Sequence, residues 1–153
     1  MKHADFLTLM NSGPSSPFGP ELVINGNFDT NTAGWDPIGG APVLSVDTGR
    51  MKVVSDGNPG VGANQTLSSV LEIGATYNFR GVMTLGNTAD MGRLGLSSGL
   101  SGSYQVASTP NVNVNLVATG VSVAIACLIA SSGAWGAAGN FAYFDSISLR
   151  KVL

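Results

Sequence analysis

The chain has 153 residues and a formal net charge of −2, from seven Lys and Arg against nine Asp and Glu. Charged residues are only 10% of it, which excludes the basic face that a nucleic-acid backbone requires. One Cys, Cys127, excludes an intrachain disulfide and a multi-cysteine zinc site, and one His, His3, argues against a Ser/His/Asp triad or a His-rich metal centre. The 44% hydrophobic share is enough for a folded core. A mean hydropathy of +0.26 leaves apolar surface for another chain to cover, so a homo-oligomer is expected.

Residues 1–20 stand apart. The apolar stretch Phe6 to Met10 is short, Asp5 interrupts the start and no small-residue cleavage site follows, so neither a signal peptide nor a membrane anchor is expected. Residues 11–20, NSGPSSPFGP, hold three Pro, two Gly and three Ser. Pro fixes φ and removes donors, so this segment reads as a linker outside the core. Residues 1–20 are therefore expected to be an arm and linker, with Phe6, Leu7, Leu9, Met10 and Phe18 as the side chains that dock on a partner, and residues 21–153 to be one domain.

From Glu21 onward strands alternate with turns. Strands are predicted near 21–25, 41–47, 50–55, 62–68, 75–85, 91–97, 103–107, 111–117, 120–130 and 140–150. Turn signals separate them, among them Asn25-Gly26, Asp47 to Gly49, Asp56 to Gly60 and Ser131 to Gly139. The most apolar window, Leu116 to Ala130, contains Gly120 and alternates Val121, Val123 and Ile125 with small residues, which is a strand pattern and not a membrane span. About ten short strands and no helical period predict an all-β fold, a two-sheet antiparallel jelly-roll sandwich with an extended N-terminal arm.

Four stretches occur in a suggestive order: ELVINGNFDTNTAGW (21–35), Gly49 to Val54, LEIGATYNFRGVM (71–83) and AYFDSISL (142–149). Together they resemble the jelly-roll carbohydrate-binding modules attached to glycoside hydrolases, and the related modules of bacteriophage virion proteins. The family opens with a pattern like N-L-V-x-N-G-x-F-E…G-W and closes with D-x-(V/I)-x-L. The match spans residues 21–150 and omits the arm. The resemblance implies a structural calcium where the first and last strands meet, held by Asp29, Asp145 and the carbonyl of Asn27. Asp29 stands where the family pattern has Glu, which shortens the reach.

The aromatic residues divide by setting. Phe28 and Trp35 are expected as core plugs, and Tyr77, Phe79, Phe141 and Phe144 as strand residues of the core, with alternation exposing one or two. Trp135 and Tyr104 lie in small-residue loops and are the candidates for stacking on a sugar or anchoring a protein contact. Asn64 and Gln65 read as strand polars ahead of sugar ligands. Single acids in turn-like settings give no carboxylate pair for glycoside hydrolysis, and Cys127 among Ala and Ile reads as a buried inert thiol. A non-enzymatic protein is expected. The leading expectation is a virion structural protein, a bacteriophage capsid decoration (cement) protein made in the host cytoplasm and carried on the particle surface. Its arm would hold a major capsid or other virion protein, and the chains would form trimers. The alternative is a carbohydrate-binding module or tail-fibre-type protein that attaches to host glycans.

Overall fold

The period-two alternation of the sequence becomes two antiparallel sheets packed face to face. The structure is a computed structural model and describes residues 16–87, 92–101, 105–107, 111–129 and 137–153. Among these the strands are β1 (Phe18–Glu21), β2 (Asp36–Ile38), β3 (Val43–Asp47), β4 (Arg50–Val54), β5 (Val61–Leu67), β6 (Thr76–Leu85), β7 (Gly92–Ser97), β8 (Gln105–Ala107), β9 (Asn111–Val117), β10 (Val123–Ile129) and β11 (Phe141–Val152). The first sheet has the order β3-β4-β11-β6-β9, with β1 added beside β11, and the second has β2-β5-β10-β7-β8. Neighbours in both sheets run antiparallel, so the fold is the all-β jelly-roll sandwich that the alternation predicts.

The inward residues of the two sheets form one apolar core. Met51 and Val53 of β4, Phe79 of β6, Phe144 and Leu149 of β11, and Leu94 and Ile125 of the second sheet are fully or almost fully buried. Burying such side chains stabilises the fold by about 1.5–3 kcal/mol each before entropy is charged against it. Gly81 belongs to this packing, because a Cβ there would lie 2.4 Å from Leu94. Phe28 and Trp35 close one side of the core with ring centroids 5.4 Å apart. Tyr77, Phe79 and Phe144 are buried, whereas Phe141 is only half-buried and lies outside the core. Cys127 is buried, and that burial pushes its thiol well above the ordinary range, leaving it inert.

Three elements differ from the sequence reading. The first strand runs over Phe18–Glu21 instead of 21–25, so the sheet begins inside the expected linker. Pro17 accepts a hydrogen bond from the Leu153 amide at 3.0 Å, and β1 pairs with the end of β11. Pro20 is tolerated because β1 is an edge strand. Beyond it, Asn25 takes φ 51°, which stops extended backbone. The short edge strand β2, over 36–38, lies outside the predicted strands and also carries a proline, Pro37. Last, β11 is not uniformly alternating. A bulge between Asp145 and Ser148, with Ser146 at φ 52°, inserts one residue. Phe144 and Ile147 therefore both face the core, three positions apart.

Residues 22–35 make an irregular loop that is pinned to the second sheet by one buried side chain. Gln65 accepts the Ile24 amide at 2.8 Å and donates to the Ile24 and Gly34 carbonyls at 2.9 Å each. Trp35 Nε1 also donates to the Ile24 carbonyl, at 3.1 Å. Gln65 is thus a backbone surrogate and not a sugar ligand. Gln65→Leu keeps the volume but strands the Ile24 amide and the Gly34 carbonyl. Urea unfolding should show a loss of about 2–3 kcal/mol, against less than about 0.5 kcal/mol for the exposed neighbour in Thr66→Val. Equal midpoints for the two variants would remove the clamp from the account.

Candidate functional site

The candidate surface is built by the residues that alternation turns away from the core of the first sheet. On β4, Met51 and Val53 face inward, so Arg50 and Lys52 face out. On β11, Ala142 and Phe144 face inward, so Phe141 and Tyr143 face out. Register places Tyr143 beside Lys52 on one side and Thr84 on the other. On β6, Asn78 and Arg80 share the face of Thr84, and on the edge strand β9 they meet Asn115 and Asn113. Four of the chain's seven Lys and Arg, namely Arg50, Lys52, Arg80 and Arg150, lie on this one face.

At one end of the face Phe141 and Tyr143 form an edge-to-face pair, centroids 5.4 Å apart at 78°. The Arg50 guanidinium lies 4.0 Å from the Tyr143 ring centroid, and Lys52 Nζ lies 4.2 Å from that of Phe141. The Tyr143 hydroxyl donates to Asp47 Oδ2 at 2.9 Å. That hydrogen bond, with burial and the Asp47 charge, raises the phenol above its ordinary range, while Arg50 opposes the rise. Tyr143 is accordingly held neutral and oriented.

At the other end lies a cavity of about 550 Å³ between β1, the loop that follows it, β6 and the bulge of β11. Arg80, Asn78, Asn25, Asp29 and Ser146 bring donors and acceptors to it, and Phe18 brings a ring. Arg80 Nε donates to Asn78 Oδ1 at 2.7 Å, and its guanidinium sits 5.1 Å from the Phe18 ring centroid. Asn78 is buried and passes the order on, donating to Asn113 Oδ1 at 2.9 Å and Asn115 Oδ1 at 2.8 Å. The β11 bulge forms part of the cavity wall, since Ser146, Ile147 and Ser148 line it.

The wall of this cavity is fixed by Glu21. Its Oε1 accepts the amides of Leu22 at 3.1 Å, Val23 at 3.0 Å and Leu149 at 2.9 Å. Its Oε2 accepts Ser148 Oγ at 2.6 Å and Arg150 Nε at 3.0 Å. Partial burial raises the Glu21 pKa, but the bonds from Ser148, Leu149, Val23 and Arg150 outweigh it, and the carboxyl is held below its ordinary 4.5. Glu21 was not singled out by sequence, although an acid beside the opening apolar run is the available signal.

The residues expected to act are placed as follows. Phe18 is part of β1 with Arg80 over its ring, so it serves the domain and is not a free anchor. Asn27 and Asp29 line the cavity, but Asp145 does not. Asp145 Oδ1 accepts the Ser146 amide at 2.6 Å instead. The Gly26 carbonyl accepts the Ile147 amide at 2.9 Å. No group of three or more acidic, His or Cys side chains gathers among the described residues. Calcium needs six to eight oxygens, and no role is derived through that ion. Phe6, Leu7, Leu9, Met10, Tyr104 and Trp135 lie outside the described residues. Tyr104 falls in the segment between β7 and β8, and Trp135 in the segment between β10 and β11. The outer face of the second sheet presents Gly62, Gly95, Ala124 and Ala126 at its middle, with Asn64 and Thr66 alongside. It offers no aromatic ring among the described residues.

The chain matches no family model and no curated protein in sequence. Its fold matches solved structures. A CBM4 domain (CBM, carbohydrate-binding module) superposes with a TM-score of 0.64 at 14% identity, covering 84% of this chain and 98% of that one. The CBM22-1 xylan-binding domain of Paenibacillus barcinonensis Xyn10C superposes with a TM-score of 0.58 at 15% identity, covering 88% and 96%. The enzymatically active domain of tailspike protein 4 of bacteriophage CBA120 gives 0.64 at 9% identity, over 86% of this chain and 21% of that one. The chain therefore has the carbohydrate-binding-module-like jelly roll.

A pH prediction follows from Glu21. Because its folded pKa lies below 4.5, its contribution to stability is full above that value and is lost as pH falls through the lowered folded pKa. Thermal melts should show wild type losing more stability than Glu21→Gln between neutral pH and about pH 3. Parallel curves for the two proteins would show that the carboxylate carries no linked protonation.

Proposed function

We propose that this protein is a non-catalytic glycan-binding module and that the outer face of its first sheet is the binding surface. The observation that carries this reading is the pairing, on one rigid face, of oriented aromatic rings with a polar cavity. Sugars present apolar C–H faces and hydroxyls that both donate and accept. A ring answers the first, and mixed guanidinium, amide, carboxylate and hydroxyl groups answer the second. Rigid strands hold both without an ordering cost on binding. Asp47, Asp145 and Glu21 are committed to hydrogen bonds with their own chain, and Asp29 in the cavity has no second carboxylate paired with it among the described residues, which favours binding over proton-transfer chemistry. The xylan-binding domain among the similar folds supports the same ligand class.

The similarity to a phage tailspike domain supports a finer reading, in which the module sits on a bacteriophage particle as a tail-fibre-type or capsid decoration protein. In that reading Phe6, Leu7, Leu9 and Met10 fasten it to a major capsid or other virion protein, and the modules group as trimers. Because β1 starts at Phe18, the truncation that tests this removes residues 2–15 and leaves the sheet whole. It should melt as the full chain does and no longer join particles. Normal incorporation would refute the arm.

Glycan-array binding and affinity electrophoresis test the main reading. Tyr143→Ala and Phe141→Ala should each weaken binding by roughly five- to ten-fold with the fold intact. If binding survives both and is lost only in Trp135→Ala, the site lies elsewhere.

A further inference from the structure

The face described above differs from a neutral sugar platform in how its cations are held. Arg50, Lys52 and Arg80 each rest against an aromatic ring. None of the three has a carboxylate within ion-pair distance among the described residues, where the ion pairs are Glu21–Arg150 and Glu72–Lys151. Asp29 shares the cavity with Arg80 without forming an ion pair with it, and three other acids nearby are used otherwise. Asp47 accepts the Tyr143 hydroxyl, Asp145 the Ser146 amide, and Glu21 is surrounded by donors. Arg50 Nη2 donates to Thr48 Oγ1 at 3.4 Å and Arg80 Nε to Asn78 Oδ1 at 2.7 Å, and the other N–H groups of each guanidinium match a carboxylate or sulfate. The rings also fix the cations in place, so less side-chain entropy remains to be lost on binding.

The three cations form a stripe. Lys52 is level with Tyr143 and Thr84, and Arg80 is level with Ser148. From Thr84 to Arg80 along β6 is about 13 Å at the usual strand rise, and β4 and β6 are separated by two strand spacings. The stripe thus runs diagonally for about 16 Å, long enough to meet successive charges of a linear polymer and too long for one small anion. The chain as a whole is acidic, at −2, so general attraction to polyanions is absent and the local pattern decides.

We infer that the glycan held on this face is an anionic polysaccharide, bearing carboxylate or sulfate groups along its length, whose charges pair with Arg50, Lys52 and Arg80. This deepens the glycan-binding reading and rests on it.

The test is affinity electrophoresis of the full chain in gels containing polygalacturonate, its methyl-esterified neutral counterpart, dextran sulfate, dextran or DNA. The expected result is retardation by polygalacturonate, dextran sulfate or both, weakened between about 0.05 M and about 0.5 M salt, and not by the neutral polymers. Arg50→Ala, Lys52→Ala and Arg80→Ala should each weaken it roughly two- to five-fold, and the triple variant at least about tenfold, with unchanged melting. Lys151→Ala, which removes a cation away from the face, should leave it unchanged. Equal retardation by the neutral polymers overturns the inference and leaves glycan binding standing. Retardation by no polysaccharide overturns both. Retardation by DNA as strong as by the acidic glycans overturns the assignment of the stripe to sugars.

Discussion

Strand β11 is the element on which the rest of the molecule depends. It pairs with β6 along most of its length, with β4 at its start and with β1 at its end, so the first sheet is assembled around it. Its inward residues, Ala142, Phe144, Ile147 and Leu149, join the core. Its outward residues, Phe141 and Tyr143, carry the rings of the proposed binding face. Keeping both sets in place requires the bulge at Asp145–Ser148, because a regular strand would turn either Phe144 or Ile147 to solvent. The same bulge lines the cavity to which Arg80 and Asn78 also contribute. Core, rings and cavity wall meet in one strand and its single irregularity.

The chemistry of the face follows from how few charges the chain has. With 10% charged residues, the placement of each one carries weight. Glu21 is used as a fastener, collecting three amides, a hydroxyl and a guanidinium where β1 meets β11. Arg50, Lys52 and Arg80 are set on rings, where a cation is partly compensated without being neutralised. A surface of this kind is ordered yet keeps its positive field, which suits recognition of a repeating anion better than it suits catalysis.

Most of the fold is legible in the sequence, because Val112 to Leu116 and Val123 to Ile129 alternate cleanly and their burial follows the alternation, as it does in Tyr77 to Val82 apart from the buried Asn78. The edge strands β1 and β2 are not, since Pro20 and Pro37 break the local pattern and only long-range pairing with β11 and β5 reveals them. The candidate face is half legible. Arg50-Met51-Lys52-Val53 and Phe141-Ala142-Tyr143-Phe144 alternate, so the outward pairs are readable one strand at a time. That Lys52 meets Phe141 and Tyr143, and Arg50 meets Tyr143, depends on register between segments some ninety residues apart, which no local pattern states. Trp135 and Tyr104 drew attention as rings in small-residue loops, a signal of exposure that carries no information about neighbours.

The central claim is that the outer face of the first sheet takes the ligand. Backbone-amide NMR of the isotopically labelled full chain, titrated with galacturonic acid oligomers, addresses it residue by residue. The account predicts perturbations concentrated at Arg50, Lys52, Arg80 and Tyr143 and at their strand neighbours Thr84 and Asn113. Perturbations confined to Asn64, Thr66 and Ala126 on the second sheet, with β4, β6 and β11 silent, would contradict it.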